Sequence, residues 1–218
     1  MGETALIGNE IIMRLRKEYP RIDRPPRKDD FGTLIRTILS QNTNFKNEDS
    51  AFRKLDRLVG VKPETLANAS LNDVIECIKS AGLYRNKAPR IIEVSRIILE
   101  KYGGHLSRIF EKNMNQAREE LMELPGVGFK TADVLLLFEG KKAVIPVDTH
   151  IFRISARLGL VKKDAKYEKV RKTLETTFRP EDFNDAHLLL IQLGRSICTA
   201  RKAECRICPL SDICPKFI

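Results

Sequence analysis

Apolar positions along this chain recur at intervals of three and four almost throughout, and that spacing predicts a succession of amphipathic helices. Ile7, Ile11, Ile12 and Leu15 mark one side of a helix over 3–19, with Arg and Lys on the other. Tyr19-Pro20 and the proline-containing stretch over 23–26 break it and predict an extended linker. Phe31, Leu34, Ile35, Ile38 and Leu39 predict a second helix, which runs out in the polar Ser40-Gln41-Asn42-Thr43-Asn44. In a third, Ala51, Phe52, Leu55 and Leu58 form the apolar face and Arg53, Lys54 and Arg57 lie outside. Pro63-Glu64 reads as the first turn of a short helix over 63–67. Ser70 and Asp73 have the spacing of a capping box, with Asp in place of the usual Glu or Gln. They open a helix carrying Val74, Ile75 and Ile78, which Gly82 ends. A long helix over 86–102 presents Ile91, Ile92, Val94, Ile97, Ile98 and Leu99 and stops at Gly103-Gly104. Helices over 115–123 and 129–139 flank a Pro-Gly-Val-Gly turn. The second is apolar nearly all round from Val134 to Phe138 and so belongs in a core. Helices over 148–158, 167–177 and 185–195 complete the set. With no strands alternating between them, the fold class is all-α.

The helices between the connections near 24–28 and 140–146 form one set, in which the first helix has no neighbour. The expected arrangement is therefore two helical domains, one of them discontinuous. Residues 1–27 join 141–218, and 28–140 are inserted with a helical hairpin at about 115–139.

Composition narrows the partners. A net charge of +10 on a chain of 218 residues favours a polyanion, and nucleic acid is the commonest. No block of five like charges occurs, so the basicity belongs to a folded surface and not to a tail. The longest apolar block, Val134 to Phe138, is far short of a membrane span, so no membrane partner is expected. The start MGETALIGNEII lacks the basic-then-apolar layout of a secretory signal, which predicts a cytoplasmic location, at the nucleoid if the source is prokaryotic. Leu6 stands where a myristoylation signal needs Ser or Thr.

Three clusters carry candidate chemistry. The turn Pro125-Gly126-Val127-Gly128 bares backbone N–H groups at a helix start, where they and the helix dipole suit a phosphate oxygen. Thr131 and Lys130 follow within the first turn, and a lone lysine there is also what an ordinary solvated surface would show. As a nucleophile, Lys130 needs its ammonium penalised by the helix terminus, nearby cations and partial burial. Asp148, eighteen residues further on and beside His150, is suited to taking a proton or steadying a developing cation. It is equally suited to capping the helix that follows. Cys77 stands alone and reads as a small buried hydrophobe. Cys198, Cys205, Cys208 and Cys214, in a C-x6-C-x2-C-x5-C pattern, form a four-thiolate set for either zinc or an iron–sulfur cluster.

The hairpin LPGVGFKTAD, the segment VDTHIFRISARLGL, the AGLYRNKA segment at 81–88 and the cysteine ending together resemble the endonuclease III family of DNA glycosylases, within the helix–hairpin–helix superfamily. The resemblance spans nearly the whole chain. It implies a two-domain helical fold with damaged double-stranded DNA across the interdomain cleft, a monomeric enzyme, and a 4Fe–4S cluster on the four C-terminal cysteines with a structural role. Lys130 matches the lysine nucleophile of the bifunctional members, which the adenine-excising and thymine-mismatch branches lack, and Asp148 matches the essential aspartate. The implied activity is a glycosylase/AP lyase for oxidised pyrimidines. Relatives acting on mismatched thymine or uracil or on damaged purines, and a non-catalytic DNA-binding iron–sulfur protein, are the alternatives. Gln41 or Asn42, and Leu83, lie on segments matching the elements that fill the gap left by a flipped base. Gly126, Val127, Gly128, Thr131 and His150 are further candidate DNA contacts, and Arg201 and Lys202 are placed to face phosphates. Phe129 and Asp133 depart from residues common in the family and bear on lesion preference.

Overall fold

A computed structural model describes residues 3–20 and 29–216. The linker expected over 23–26, and with it the expected boundary at 27/28, lies outside the described residues. Among those described, the chain is helical, with no strand beyond an isolated antiparallel bridge between Cys198 and Ala203. No helix among the described residues is long and apolar enough to cross a membrane. Two compact units emerge, one within Met1–Pro25 and Lys141–Ile218 and the other within Pro26–Gly140. They are called here the terminal and the middle unit.

The terminal unit begins with α1 (Glu3–Glu18), whose Ile11, Ile12 and Leu15 are buried. The middle unit follows with α2 (Asp30–Ser40), α3 (Phe45–Leu58), α4 (Pro63–Ala67) and α5 (Leu71–Ile78). It continues with α6 (Tyr84–Tyr102), α7 (Ser107–Phe110), α8 (Met114–Glu123) and α9 (Phe129–Phe138). The chain then returns to the terminal unit as α10 (Thr149–Arg157), α11 (Tyr167–Thr177) and α12 (Phe183–Ser196), before the cysteine loop.

In the middle unit α6 is the central element, packed by α4, α5 and α2, and Ile91, Val94 and Ile98 bury the face that its periodicity marks. The boundaries follow local chemistry. Asp29 caps α2 through Gly32 N–H, Asn44 caps α3 through Asn47 N–H at 3.0 Å, and Ser70 caps α5 through Asp73 N–H at 3.1 Å. Three details depart from expectation. Leu58 is 60% exposed, at the last residue of α3. Gly82 does not end α5 directly: α5 stops at Ile78 and a 3₁₀ turn, Lys79–Ala81, intervenes before Gly82 turns the chain at φ +65°. The short α7 is too brief for periodicity to reveal.

In the terminal unit α1 lies against α11 and α12, and α10 packs on α12. Contact between α1 and α11 is unusually close. A Cβ added at Gly8 would fall 1.8 Å from the carbonyl oxygen of Thr177. The cysteine loop is tied back to α1 by Arg14, which donates to the Pro209 carbonyl at 3.0 Å and pairs with Asp212.

Gly8→Ala should therefore destabilise the protein by about 2 kcal/mol or more, since α1 must move away from α11 to admit one methyl group. A denaturant titration of the variant beside the wild type checks this, and an unchanged midpoint would contradict the close packing.

Candidate functional site

The hairpin is built from α8, α9 and the turn between them. Val127 N–H donates to the Leu124 carbonyl at 3.0 Å and closes the turn, while Gly126 sits at φ +82°, a conformation that disfavours any residue with a side chain. Gly128 is the N-cap of α9 and offers no side-chain cap. The first intrahelical bond runs from Ala132 N–H to the Gly128 carbonyl at 2.9 Å, so the amides before it stand at the positive end of the helix. A Cβ added at Gly128 would meet nothing within 4 Å, so the approach is open. Lys130 is half-buried in this first turn.

The side chains of two candidate DNA contacts on the hairpin, Val127 and Thr131, are buried. The N–H of Val127 is also already spent on the turn. The uncapped terminus of α9 and the open approach at Gly128 are what the hairpin offers a phosphate.

A buried ion pair braces the hairpin. Asp133 on α9 is completely buried, and Arg118 on α8 donates to both its oxygens at 2.7 and 3.1 Å. The same guanidinium lies 5.2 Å from the centre of the Phe129 ring. One arginine thus fixes the angle between the helices and holds the residue preceding Lys130. Arg118 carries no motif, and the one sequence hint of its role is an aspartate set against the apolar run Val134 to Phe138 of α9.

The gap-filling candidates lie in the same, middle unit. Leu83 is 53% exposed and left-handed at φ +48°, while Asn42 is exposed at φ +53°. Asn tolerates that region, but for a leucine it costs roughly 1–2 kcal/mol. Gln41 has its amide committed, donating from Nε2 to the Gly126 carbonyl at 2.8 Å, which ties the end of α2 to the hairpin turn.

The terminal unit carries the remaining candidates on and around α10. Asp148 is its N-cap and accepts from Ile151 N–H at 2.8 Å. His150 packs against Gly194, where an added Cβ would lie 2.7 Å from its own, and its Nδ1 lies 3.1 Å from Arg153 Nη2. Arg153 also donates to the carbonyls of Gly194 at 2.9 Å and Cys198 at 2.9 and 3.1 Å. One helical turn later, Arg157 donates to Cys198 Sγ at 3.2 Å and to the Thr199 carbonyl at 2.8 Å. Neither arginine stands out in the sequence, although their four-residue spacing places both on one face of α10. Arg201 and Lys202 are exposed, and Lys202 pairs with Glu204 at 2.7 Å, which raises its pKa.

All four C-terminal cysteines line one small pocket, together with Arg157, Ile197 and Lys216. None forms a disulfide. Besides the bond from Arg157, the backbone N–H of Lys216 donates to Cys214 Sγ at 3.4 Å. Burial pushes the thiols of Cys208 and Cys214 up in pKa, and the neighbouring cysteines add to it. Among the described residues no three metal-binding side chains converge closely enough to hold a single ion as they stand. The donor set is nonetheless uniform in soft sulfur and supplied with N–H donors, which fits an iron–sulfur cluster.

Residues 35–180 match the HhH-GPD superfamily of base excision DNA repair proteins. The endonuclease III of Thermotoga maritima is 37% identical over 205 residues, covering 94% of this chain and 91% of that protein. That of Sulfolobus acidocaldarius is 35% identical over 222 residues and 97% of both. Among solved structures, a trapped endonuclease III–DNA covalent intermediate matches with a TM-score of 0.86 at 30% identity, covering 99% of this chain and 97% of that one. A thermostable thymine-DNA glycosylase, at 22% identity and a TM-score of 0.79 over 97% and 95% of the two chains, shares the fold.

Arg118→Ala should cost about 3–5 kcal/mol of stability, because it withdraws the cation from a carboxylate with no water around it. Replacing both partners, as Arg118→Met with Asp133→Leu, should restore most of that loss. Equal losses in the single and double variants, read by chemical denaturation, would contradict the brace.

Proposed function

The chain belongs to the endonuclease III family of HhH-GPD base excision DNA repair proteins, and from that premise we propose which of its residues perform the two reactions. The protein is a DNA glycosylase and AP lyase acting on damaged duplex DNA. Oxidised pyrimidines are the substrates proposed for it. The observation that carries the residue assignment is the position of Lys130, half-buried in the first turn of a helix whose N-terminus has no side-chain cap and whose approach is open.

The damaged nucleotide leaves the stack, most readily where its pairing is already weak. The hairpin glycines and the α9 terminus hold a phosphate while it does so. Lys130 Nζ attacks the deoxyribose C1′ as the glycosidic bond breaks and its electron pair departs with the base, which takes up a proton. Asp148 assists deprotonation of the attacking amine and steadies positive charge on the sugar. Opening of the C1′–O4′ bond leaves an imine between Lys130 and C1′. The imine acidifies the C2′ proton, and loss of that proton expels the 3′ phosphate. Water then releases Lys130. Helix capping and catalysis by Asp148 are compatible, since the bond from Ile151 N–H orients the carboxylate.

Cys198, Cys205, Cys208 and Cys214 would hold the 4Fe–4S cluster, whose contribution is to fix the loop that carries Arg201 and Lys202. Arg157 and the Lys216 amide support the cysteine sulfurs from outside.

Borohydride trapping on a lesion-bearing duplex tests the nucleophile. Wild type should form a covalent adduct and Lys130→Ala none; equal trapping by both would overturn the assignment. Asp148→Asn should excise the base at least about 100-fold more slowly. Its melting temperature should stay near the wild-type value, since Asn caps a helix as well as Asp does.

Elemental analysis tests the cysteine pocket. About four iron and four sulfide per chain are expected, and one equivalent of zinc without iron would refute the cluster.

A further inference from the structure

Lys87 is 1% exposed, and among the described residues no other lysine is buried. Its Nζ donates to the carbonyl of Leu39 at 2.7 Å and to that of Ala81 at 2.9 Å. Burial pulls its pKa down to about 8. Placing an amine in an apolar core is costly, and a methionine of similar length would fill the space without that cost. The group therefore has to be understood through its two acceptors.

Both acceptors are helix-terminal carbonyls, and each stands two residues before a gap-filling candidate. Leu39 belongs to the last turn of α2, just ahead of Gln41. The other three end carbonyls of α2 are answered locally: Thr37 by Ser40 Oγ at 2.8 Å, Ile38 by Gln41 N–H at 3.3 Å and Ser40 by Thr43 N–H at 3.4 Å. Lys87 answers the fourth from another helix. Ala81 ends the 3₁₀ turn before Gly82 and Leu83, and the backbone N–H of Lys87 donates to the Leu83 carbonyl at 2.9 Å. One residue in the first turns of α6 thus grips the chain on both sides of Leu83 and, through Leu39, the loop bearing Gln41 and Asn42.

We propose that Lys87 is a positioning residue for base extrusion, clamping the Gln41–Asn42 loop and the Leu83 loop at the separation needed to enter the duplex together. This rests on reading those loops as the gap-filling elements. Extrusion from a paired duplex then depends on Lys87, whereas strand cleavage at an abasic site in single-stranded DNA, which has no gap to fill, does not.

The test compares two single-turnover rates in the same preparation, excision from a paired lesion duplex and cleavage of the single-stranded abasic oligonucleotide. Lys87→Met should lower the ratio of the first to the second at least about tenfold, the scale of a lost hydrogen bond from a charged donor. Added to Leu83→Ala, it should lower the ratio little further. An unchanged ratio with Lys87→Met, while Leu83→Ala reduces it, would overturn the role of Lys87 and leave the gap-filling reading standing. No effect of Leu83→Ala would overturn the gap-filling reading and the inference with it. Should Lys87→Met fail to fold, wild type labelled with ¹⁵N-lysine serves. The Lys87 Nζ resonance should shift on binding a duplex with a non-cleavable abasic analogue but not the corresponding single strand. An unmoved resonance would overturn the inference.

Discussion

The hairpin is braced by a mostly buried guanidinium bonded to a carboxylate that is wholly out of water. Arg118 and Asp133 sit on different helices, and neither is tolerable in its position without a partner of opposite charge. Such a pair adds little net stability compared with well-packed apolar residues, since desolvation cancels much of the attraction. What it adds is direction. Two parallel bonds from one planar group leave α8 and α9 little freedom to rotate, and the cation also lies against the ring of Phe129. The geometry of the glycine turn, the uncapped terminus of α9 and the placement of Lys130 all follow from it.

The terminal unit holds α10 differently, by side chains bonded to backbone groups at both its ends. Asp148 closes the N-terminal end of that helix, and Arg153 and Arg157 fasten its other half to the start of the cysteine loop. The carbonyl of Arg157 lies 3.3 Å from Cys214 Sγ, so both ends of the loop meet one helix. The cysteine pocket and the carboxylate of Asp148 are thus fastened to opposite ends of one short helix.

Much of this was legible because the signals are local. The span of α4 and the cap at Ser70 each depend on residues within one turn of each other, and the sequence displays all of them. The capping role of Asp148 was legible for a similar reason, since it stands directly before a helix start. What was not legible has a different cause. Nothing local reveals that Leu58 is exposed, or that Val127 and Thr131 are buried, because burial depends on elements far away in the chain. Arg118, Arg153 and Lys87 are ordinary cations by sequence, and each has an acceptor 15 to 48 residues distant that no local pattern reveals.

The left-handed backbone at Leu83 sets a limit on how this protein can be improved. Glycine would relax that conformation, and stability screens that reward relaxed backbones would select it. Glycine would also erase the exposed branched side chain that the position presents to the outside. A lineage evolved only for heat resistance would thus drift toward a robust scaffold without the side chain proposed to enter DNA. On that proposal, residue 83 is where endurance and repair pull the chain in opposite directions.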